Sequence, residues 1–495
     1  MKTAPRNRGA VSISVRLAVQ ESMNTSPTSL PAHQTAVLGI ILTSYLLIIL
    51  DVSIVITGLP RIQEELQFSQ AQLAWVQSVY TLFFGGFLLL GARAGDILGR
   101  RRMFQTGLAV FTIASLAVGL APSANWMVAA RAVQGVGAAI LAPSSLALLA
   151  IHFPEGPQRR RATSLYGAVA GIGASIGLVM GGLLADLWSW RVGFFINVPV
   201  GIALAFAGAR YIEESERHAG DFDLLGAILS TAGFGALIWG IVNLGDVGWQ
   251  DVPSRIAVII GLALIVLFIT HESRAPQPIM PLHLFRHQVR SAAYVTRFLL
   301  LGGMVTFFFY STQFMQSVLG FSALEAGLGF LPMTLVNFVS ALYGSKLLPK
   351  AGPAAQTLTG LMLIVAGMAW LSQVDASATY LLDVALPMVL IGAGQGLCFG
   401  PLTAAGVVGT TRQDAGAASG VVNVAHQLGS SAGLGAMAAL ASAAQSGGSG
   451  AVAAARGVSA ALQGGTVLLG LAATVAMMLF ASDLRPTGGA EPGME

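Results

Sequence analysis

One aspartate lies inside an apolar stretch that is long enough to cross a membrane. The segment from Leu50 to Pro60 reads LDVSIVITGLP, and the apolar run around it begins near Val37. A carboxylate at the centre of a membrane helix costs about 2.5 to 3.5 kcal/mol on insertion scales, because no water solvates it. Asp51 is therefore a candidate functional residue.

An arginine in the fourth apolar stretch is the candidate partner of Asp51. Asp51 precedes Pro60 by nine positions, and Arg131 is six positions into a span that begins near Asn125. At 1.5 Å per residue both lie about 9 to 14 Å below the outer boundary, so they could face each other. A paired carboxylate stays ionised, whereas one that loses its arginine in a low-dielectric site takes up a proton. The two residues form either such a proton switch or a permanent structural ion pair.

The loop after the second apolar stretch carries a second group of candidate residues. It reads GARAGDILGRRR and holds Gly95, Asp96, Gly99, Arg100 and Arg101. Glycines permit a tight reversal at the membrane face, and an aspartate can cap a helix start or bind a nearby arginine. Asp96 and the glycine spacing favour a gate over a basic loop that only sets topology.

The fifth apolar stretch is rich in glycines, several of them at four-residue intervals. They are Gly167, Gly171, Gly173, Gly177, Gly181 and Gly182. One helix face is therefore nearly bare backbone, which another helix can approach closely. The face serves either as plain packing or as a seam along which two bundles rock.

Several other polar groups lie inside apolar stretches. Gln134, Gln395, Asn423 and His426 are candidates for lining a central cavity, with hydrogen bonding between helices as the alternative. Arg297 lies near the inner end of the ninth stretch, and we expect its charged head to extend to the interface.

The composition is that of a polytopic membrane protein. Of the 495 residues, 55% are hydrophobic and 10% are charged, against about 25% charged in soluble domains. The single cysteine, Cys398, excludes a disulfide within the chain and argues against a cysteine-based metal or redox centre. No phosphate-binding GxxxxGK[ST] loop is present, and the histidines show no metal-ligand spacing within a span. We expect no enzyme activity, no metal and no cofactor other than the proton as coupling ion.

Windows of about 18 to 25 apolar residues predict fourteen transmembrane helices. They cover 37–59, 72–94, 104–121, 125–150, 163–185, 192–210, 224–243, 254–271, 294–317, 325–348, 355–372, 379–406, 415–441 and 463–481. Most of the 26 lysines and arginines then fall on one side, so the positive-inside rule places both termini in the cytoplasm. These basic residues are topology signals, and we expect no nucleic-acid partner.

A sequence pattern that occurs twice in the chain indicates two halves of similar architecture. Ser69 with Gln72 and Ser322 with Glu325 both have capping-box spacing, one before the second span and one before the tenth. Two six-helix bundles with two inserted helices are expected. The predicted units are a cytoplasmic tail 1–36, a bundle 37–211, a linker with the inserted helices 212–290, a bundle 291–482 and a tail 483–495. Met23 is an alternative start to Met1.

The chain resembles the major facilitator superfamily, and within it the fourteen-helix drug:proton antiporter family, over nearly all of residues 37–481. LDVSIVITGLP is similar to the family's first-helix signature, and GARAGDILGRRR to the superfamily's cytoplasmic loop motif. ARAVQGVGAA resembles the fourth-helix arginine motif, GIGASIGLVMGG the fifth-helix antiporter motif, and SWRVGFFINVPVG the start of helix six. Each motif is weak alone, but five in order at the expected spans are specific.

The resemblance implies proton-driven export by alternating access around a cavity between the two bundles. It makes Asp51 and Arg131 the coupling pair, and Asp96 with Arg100 and Arg101 the inner gate. It also implies a hinge role for four glycines of the fifth span: Gly173, Gly177, Gly181 and Gly182.

Three positions depart from the family pattern. Ile56 stands where the first-helix motif usually has asparagine, Ala92 where the loop motif has glycine, and Leu178 where the antiporter motif has proline. The asparagine would supply a polar cavity group and the proline a kink. Substrate range and the detail of the hinge are therefore open.

We expect a proton-coupled exporter of lipophilic drugs, dyes or related amphipathic compounds in the bacterial inner membrane. A dedicated exporter of one endogenous metabolite is the first alternative; a proton-independent facilitator and a membrane sensor without transport are others. The partners are a small lipophilic substrate, protons and membrane lipid, and we expect a monomer. The sequence leaves open whether a periplasmic adaptor assists.

Overall fold

The structure is a computed structural model that describes residues 32–153, 155–217, 220–347, 352–411, 414–445 and 450–480. The predicted C-terminal tail and the first 31 residues of the predicted N-terminal tail, including Met1 and Met23, lie outside the described residues. The first helix begins at Ala32, so residues 32–36, expected in the tail, are helical.

The N-terminal half contains seven helices, of which two short ones follow each other in a single pass. They are α1 (Ala32–Leu66), α2 (Gln70–Leu98), α3 (Arg100–Gly119), α4 (Ala124–His152), α5 (Pro157–Leu187), α6 (Trp190–Phe195) and α7 (Asn197–Tyr211). Two further helices form a hairpin after it: α8 (Leu224–Val247) and α9 (Val252–Glu272). Each predicted span in this region coincides with one helix or with the α6–α7 pair.

The C-terminal half repeats this plan. Its helices are α10 (Gln288–Ser317), α11 (Ala323–Gly329), α12 (Leu331–Leu347), α13 (Pro353–Leu371), α14 (Leu386–Ala405), α15 (Ala415–Gln445) and α16 (Gly450–Phe480). A short 3₁₀ turn precedes α10, and a π-helical turn, Tyr380–Ala385, leads into α14.

Thirteen of the described helical passes are long and apolar enough to cross a membrane. The remaining predicted span, 415–441, coincides with α15, which is 31 residues long but rich in alanine, glycine and serine. Four helices, α2, α8, α10 and α16, pack around α15. Its faces are thus covered by protein, so they need less apolar character than a helix that faces lipid.

The two predicted capping boxes are present. Ser69 accepts from the backbone N–H of Gln72, and the Gln72 side chain accepts from the backbone N–H of Ser69. Ser322 and Glu325 make the same pair of bonds at the start of α11. The capping role that the spacing of Ser322 and Glu325 predicts is therefore confirmed.

The most extensive contacts between the two halves involve two pairs of helices. α2 packs against α15, where Ser431 Oγ donates to the Ser78 carbonyl at 2.8 Å. α5 packs against α11 near their outer ends, where the backbone N–H groups of Ala323 and Leu324 donate to Asp186 at 3.2 and 2.7 Å. The outer side of the molecule is therefore closed by contacts between the halves.

The inner half of α5 has no such contact. A Cβ atom placed on Gly167 or Gly171 would meet no heavy atom within 4 Å, whereas one on Gly182 would lie 2.3 Å from the Ala323 carbonyl oxygen. The halves are therefore apart beside the inner half of α5, although α2 and α15 stay in contact as far as Leu89 and Gly420, and we call the space beside the inner half of α5 the inner cavity.

The inserted hairpin lies beside the seam between α2 and α15. A Cβ placed on Gly86 would lie 2.0 Å from Thr231 Oγ1, and one on Gly245 would lie 2.2 Å from Ala439 Cα. α8 thus touches both halves, while α9 packs chiefly on α8 and exposes large apolar residues.

Candidate functional site

Asp51 of α1 and Arg131 of α4 form an ion pair in the interior of the N-terminal half. Arg131 Nη1 donates to Asp51 Oδ2 at 2.5 Å, and neither side chain has any exposed surface. Their equal depth in two spans predicted that the two residues could face each other, and the structure brings them together. Removing either partner of a pair so far from water leaves the other group without its compensating charge.

Two amides complete the hydrogen bonds of the Asp51 carboxylate. Gln134 Nε2 donates to Asp51 Oδ1 at 2.7 Å, and Asn197 Nδ2 donates to the same oxygen at 3.1 Å. Gln134, expected along the cavity, is fully buried against the acid. Asn197 was not among the predicted site residues, although it is a lone amide in the SWRVGFFINVPVG segment. The contact was not predictable, because Asn197 and Asp51 are far apart in the sequence.

The Arg131 guanidinium is held from its other sides by α2. Its Nε donates to the Val76 carbonyl at 3.0 Å, and the Tyr80 ring centroid lies 4.2 Å from its Cζ atom. Arg131 Nη2 and the Tyr80 hydroxyl have no hydrogen-bond partner among the described residues. The guanidinium thus keeps anchors on α2 and α4 if it parts from Asp51.

The predicted gate loop is an ordered corner between α2 and α3. Arg100 pairs with Asp96 four residues earlier, and its Nη1 donates to the Ala92 carbonyl at 3.1 Å. Gly99 has φ +103°, a backbone conformation that favours glycine. Arg101 does not join the Asp96 pair, because its Nη2 reaches the Ala209 carbonyl at 2.6 Å.

A glutamate that sequence reasoning did not single out organises the same corner. Glu214 accepts from the backbone N–H groups of Arg101 and Arg102 at 3.0 and 3.2 Å, which satisfies free amides at the start of α3. These partners lie in the N-terminal half or in the segment directly after α7, and none of them belongs to the C-terminal half. The described contacts of Asp96, Arg100 and Arg101 therefore do not join the two halves in this conformation.

Three of the four hinge glycines face α1. A Cβ placed on Gly173 would lie 2.8 Å from Leu46, on Gly177 2.5 Å from Ser53, and on Gly181 2.5 Å from Thr57. Gly182 instead faces the Ala323 carbonyl across the seam between the halves. The glycine-rich face is mainly a packing surface inside the N-terminal half, and its outer end reaches the other half.

The polar candidates of the C-terminal half lie on α14 and α15. Asn423 is exposed and donates to the Ser419 carbonyl at 3.1 Å, whereas His426 is half-buried beside Arg297. Gln395 is partly buried, and its side-chain oxygen has no partner among the described residues.

The expectation that Arg297 extends its head to the interface is wrong. Arg297 is only 8% exposed, and its side chain points between α14 and α15. Its Nη1 donates to Thr403 Oγ1 at 3.3 Å, and its Cζ lies 4.4 Å from the Phe399 ring centroid. Polar and aromatic neighbours at that depth hold the guanidinium inside the protein.

Comparisons with known proteins agree with this architecture. A family model described as Major Facilitator Superfamily matches residues 41–434. The cephamycin export protein of Amycolatopsis lactamdurans is 37% identical over 84% of this chain and 87% of its own length. The puromycin resistance protein of Streptomyces alboniger is 36% identical over 80% of each chain.

Among solved structures, a bacterial homologue of the human lysosomal transporter Spinster, in an inward-facing conformation, superposes with a TM-score of 0.67. It is 16% identical and covers 93% of this chain and 100% of its own length. This likeness concerns the fold.

Proposed function

This chain belongs to the major facilitator superfamily, and we propose that it is a proton-coupled antiporter that exports lipophilic, amphipathic compounds across the bacterial cytoplasmic membrane. Relatives that cover most of the chain are named as a cephamycin export protein, a puromycin resistance protein and a multidrug resistance protein. Their names support export of antibiotics and drugs as the activity.

The single observation that carries proton coupling is the buried Asp51–Arg131 pair. An acid with no exposed surface and one positively charged partner has two stable states: ionised when paired and protonated when unpaired. A movement that separates α1 from α4 therefore changes the proton affinity of Asp51. This property turns a conformational change into uptake or release of a proton.

The cycle follows from the closed outer seam and the open inner cavity. In this conformation the pair is formed, so Asp51 is deprotonated and the inner cavity can accept a substrate. Once the outer seam opens, Arg131 moves away, Asp51 takes a proton from outside and the substrate leaves. Return to the inner-open state re-forms the pair and releases the proton inside.

The test is transport of a lipophilic dye by purified protein in liposomes with an imposed proton gradient. The wild type is expected to move dye against its gradient, and Asp51→Asn to bind dye but lose gradient-driven movement, because the amide keeps the volume and cannot titrate. Glu64→Gln, the same chemical change at an exposed position of the same helix, is the matched control. Full gradient-driven transport by Asp51→Asn would contradict the proposal.

The alternatives differ in this assay. A dedicated exporter of one metabolite would move almost none of a panel of unrelated dyes. A proton-independent facilitator would continue to equilibrate dye after the gradient collapsed. A sensor without transport would move no dye and would keep its signalling activity in Asp51→Asn.

A further inference from the structure

A second buried arginine, Arg297, lies in the C-terminal half, and unlike Arg131 it has no carboxylate partner among the described residues. Arg297 takes part in none of the ion pairs found among the described residues. Its Nη1 donates to the Thr403 hydroxyl at 3.3 Å, and its Nη2 lies 3.2 Å from His426 Nδ1. Its Nε has no hydrogen-bond partner in the described part of the chain.

The side chains near Arg297 do not supply the missing negative charge. Tyr45, Cys398 and His426 are the titratable groups close enough to interact electrostatically with it. Tyrosine and cysteine are chiefly neutral at pH 7, and a histidine that accepts a hydrogen bond through Nδ1 is neutral as well. Within the described part of the chain, Arg297 is thus a buried charge without a compensating one, which is costly for a protein to keep.

Burial alone does not make an arginine of this helix a binding residue. Arg290, seven residues earlier on α10, is 7% exposed and also has no ion pair with any carboxylate that the structure describes. Its Nε and Nη1 donate to the Leu284 and Val408 carbonyls at 3.1 and 3.2 Å. These backbone carbonyls tie the start of α10 to its neighbours, so Arg290 has a structural role. Arg297 has no backbone acceptor among its described bonds.

The neighbours of Arg297 place it at the wall of the inner cavity. Thr403, which it contacts, is exposed, and His426 is half-buried. Tyr45 comes from α1 of the opposite half and stacks on Tyr166 of α5 with ring centroids 3.8 Å apart. The guanidinium therefore contacts the C-terminal half and lies within electrostatic range of a tyrosine of the opposite half, beside the inner cavity.

We propose that Arg297 binds a carboxylate of the exported compound, so that the substrate class includes amphipathic aromatic monocarboxylates. This inference rests on the proposed export function and names the group that the C-terminal half recognises. A guanidinium binds a carboxylate through two parallel N–H bonds. The Nε of Arg297, together with the second hydrogen of Nη2, offers such a fork. The Phe399 ring and the stacked Tyr45–Tyr166 pair supply aromatic surface beside it.

The two halves then have different functions, proton exchange in one and substrate binding in the other. The N-terminal half holds an acid and an arginine that exchange a proton between them, while the C-terminal half holds an arginine that lacks an acid and takes one from the substrate. The carboxylate is drawn into the inner cavity by a charge that the protein leaves unpaired.

The probes are dansylglycine and dansylglycinamide, which share an aromatic body and differ in carrying a carboxylate or a neutral amide. Their fluorescence is titrated with purified protein in nanodiscs of phosphatidylcholine, which contain no anionic lipid to compete. The wild type is expected to bind the carboxylate at least about tenfold more tightly than the amide, as for one charge-assisted hydrogen bond. Arg297→Gln should lose this preference, and Arg297→Lys, which keeps the charge, should retain part of it.

Three results would overturn the inference: equal or tighter binding of the amide by the wild type, a carboxylate preference that survives Arg297→Gln, or no binding of either probe. If Arg297→Gln fails to fold, the wild type and Arg297→Lys decide the question by the same comparison. Binding needs no proton gradient, so failure here is distinct from failure of gradient-driven dye transport, which concerns Asp51.

Discussion

At the scale of single residues, the function depends on how one buried carboxylate is held. Asp51 accepts hydrogen bonds from Arg131, Gln134 and Asn197, which come from α4 and α7. Hydrogen bonds to the ionised form favour ionisation, so each donor helps Asp51 to release its proton when the pair forms. The amides therefore adjust the proton affinity that Arg131 chiefly sets.

Removing Asn197 should shift the pH dependence of transport. In Asn197→Ala the carboxylate loses one donor and holds its proton to a higher pH, so the pH of half-maximal transport should rise by about one unit. The measurement is dye transport at a constant gradient over a series of pH values. Asn337→Ala, on α12 of the other half, is the control and should leave the profile in place. A shift toward acid would contradict the assigned donor role.

Removing Arg131 should be worse for the protein than neutralising Asp51. Arg131→Ala empties the space of a fully buried side chain and removes its bonds to the Asp51 carboxylate and the Val76 carbonyl, at a cost of about 3 to 5 kcal/mol. Asp51→Asn keeps the volume of the side chain. The unfolding temperature in detergent should fall more for Arg131→Ala than for Asp51→Asn, and Asp51→Asn with Arg131→Gln should recover part of the loss. An unfolding temperature unchanged in Arg131→Ala would mean that the pair contributes nothing to stability.

The sequence predicted some contacts of this site and missed others. Equal depth in two spans was enough to predict that Asp51 and Arg131 could meet. The contact of Asn197 with Asp51 was not predicted, because nothing in the spacing of Asn197 links it to the first span. The environment of Arg297 was predicted wrongly, because a position near a span end does not reveal which side chains from α14 and α15 cover it.

At the scale of helices, the seam between α5 and α11 sets which side is open. Gly182 allows α5 to approach the Ala323 carbonyl, and Gly327 of α11 in turn approaches the Leu178 carbonyl, where a Cβ would lie 2.5 Å from the oxygen. The leucine that replaces the family's usual proline is buried at this contact, and α5 continues unbroken through it. The closed outer seam thus depends on two bare backbone positions.

A methyl group at Gly182 should open the outer seam. In Gly182→Ala the added Cβ would lie 2.3 Å from the Ala323 oxygen, so α5 and α11 must separate. Spin labels are attached to cysteines that replace Trp188 and Leu328 in a Cys398→Ser background. The distance between the two labels should be longer with Gly182→Ala than without it. Gly171→Ala, where a Cβ meets no atom within 4 Å, is the matched control. Equal distances in all three would show that the seam tolerates the methyl group.

Helix positions and caps were the most predictable features at this scale. The capping boxes at Ser69 and Ser322 were predictable because capping is local chemistry between residues three apart. The packing partners of the glycines in α5 were not, since small residues show only that some helix approaches closely. Contacts with α1 at Gly173, Gly177 and Gly181 required the structure.

At the scale of the whole molecule, two six-helix halves enclose a cavity that is closed outside and open inside, and α8 lies against both halves. The length of the apolar runs predicted the helices, while the plan of two halves came from the repeated capping box and the family resemblance. The open side could not be predicted, since inner-open and outer-open states of a transporter differ by only a few kcal/mol.

The two proposals together predict how membrane potential affects export. Exchange of an entering proton for a leaving monoanion moves two charges in the same electrical direction, each worth about 2.3 kcal/mol per 100 mV. A potassium diffusion potential, negative inside, should therefore speed dansylglycine export more than export of neutral dansylglycinamide. Equal acceleration of the two compounds would contradict anion transport through the Arg297 site.

The most direct test of the account measures the protonation state of Asp51 during transport. Infrared difference spectra of the purified protein are recorded as substrate is added and removed at fixed pH, with Asp51→Asn as reference. A carboxylic acid C=O band that changes with substrate in the wild type and is absent in Asp51→Asn is the predicted result. A carboxylate that stays ionised under every condition, with no band dependent on Asp51, would contradict the proton switch.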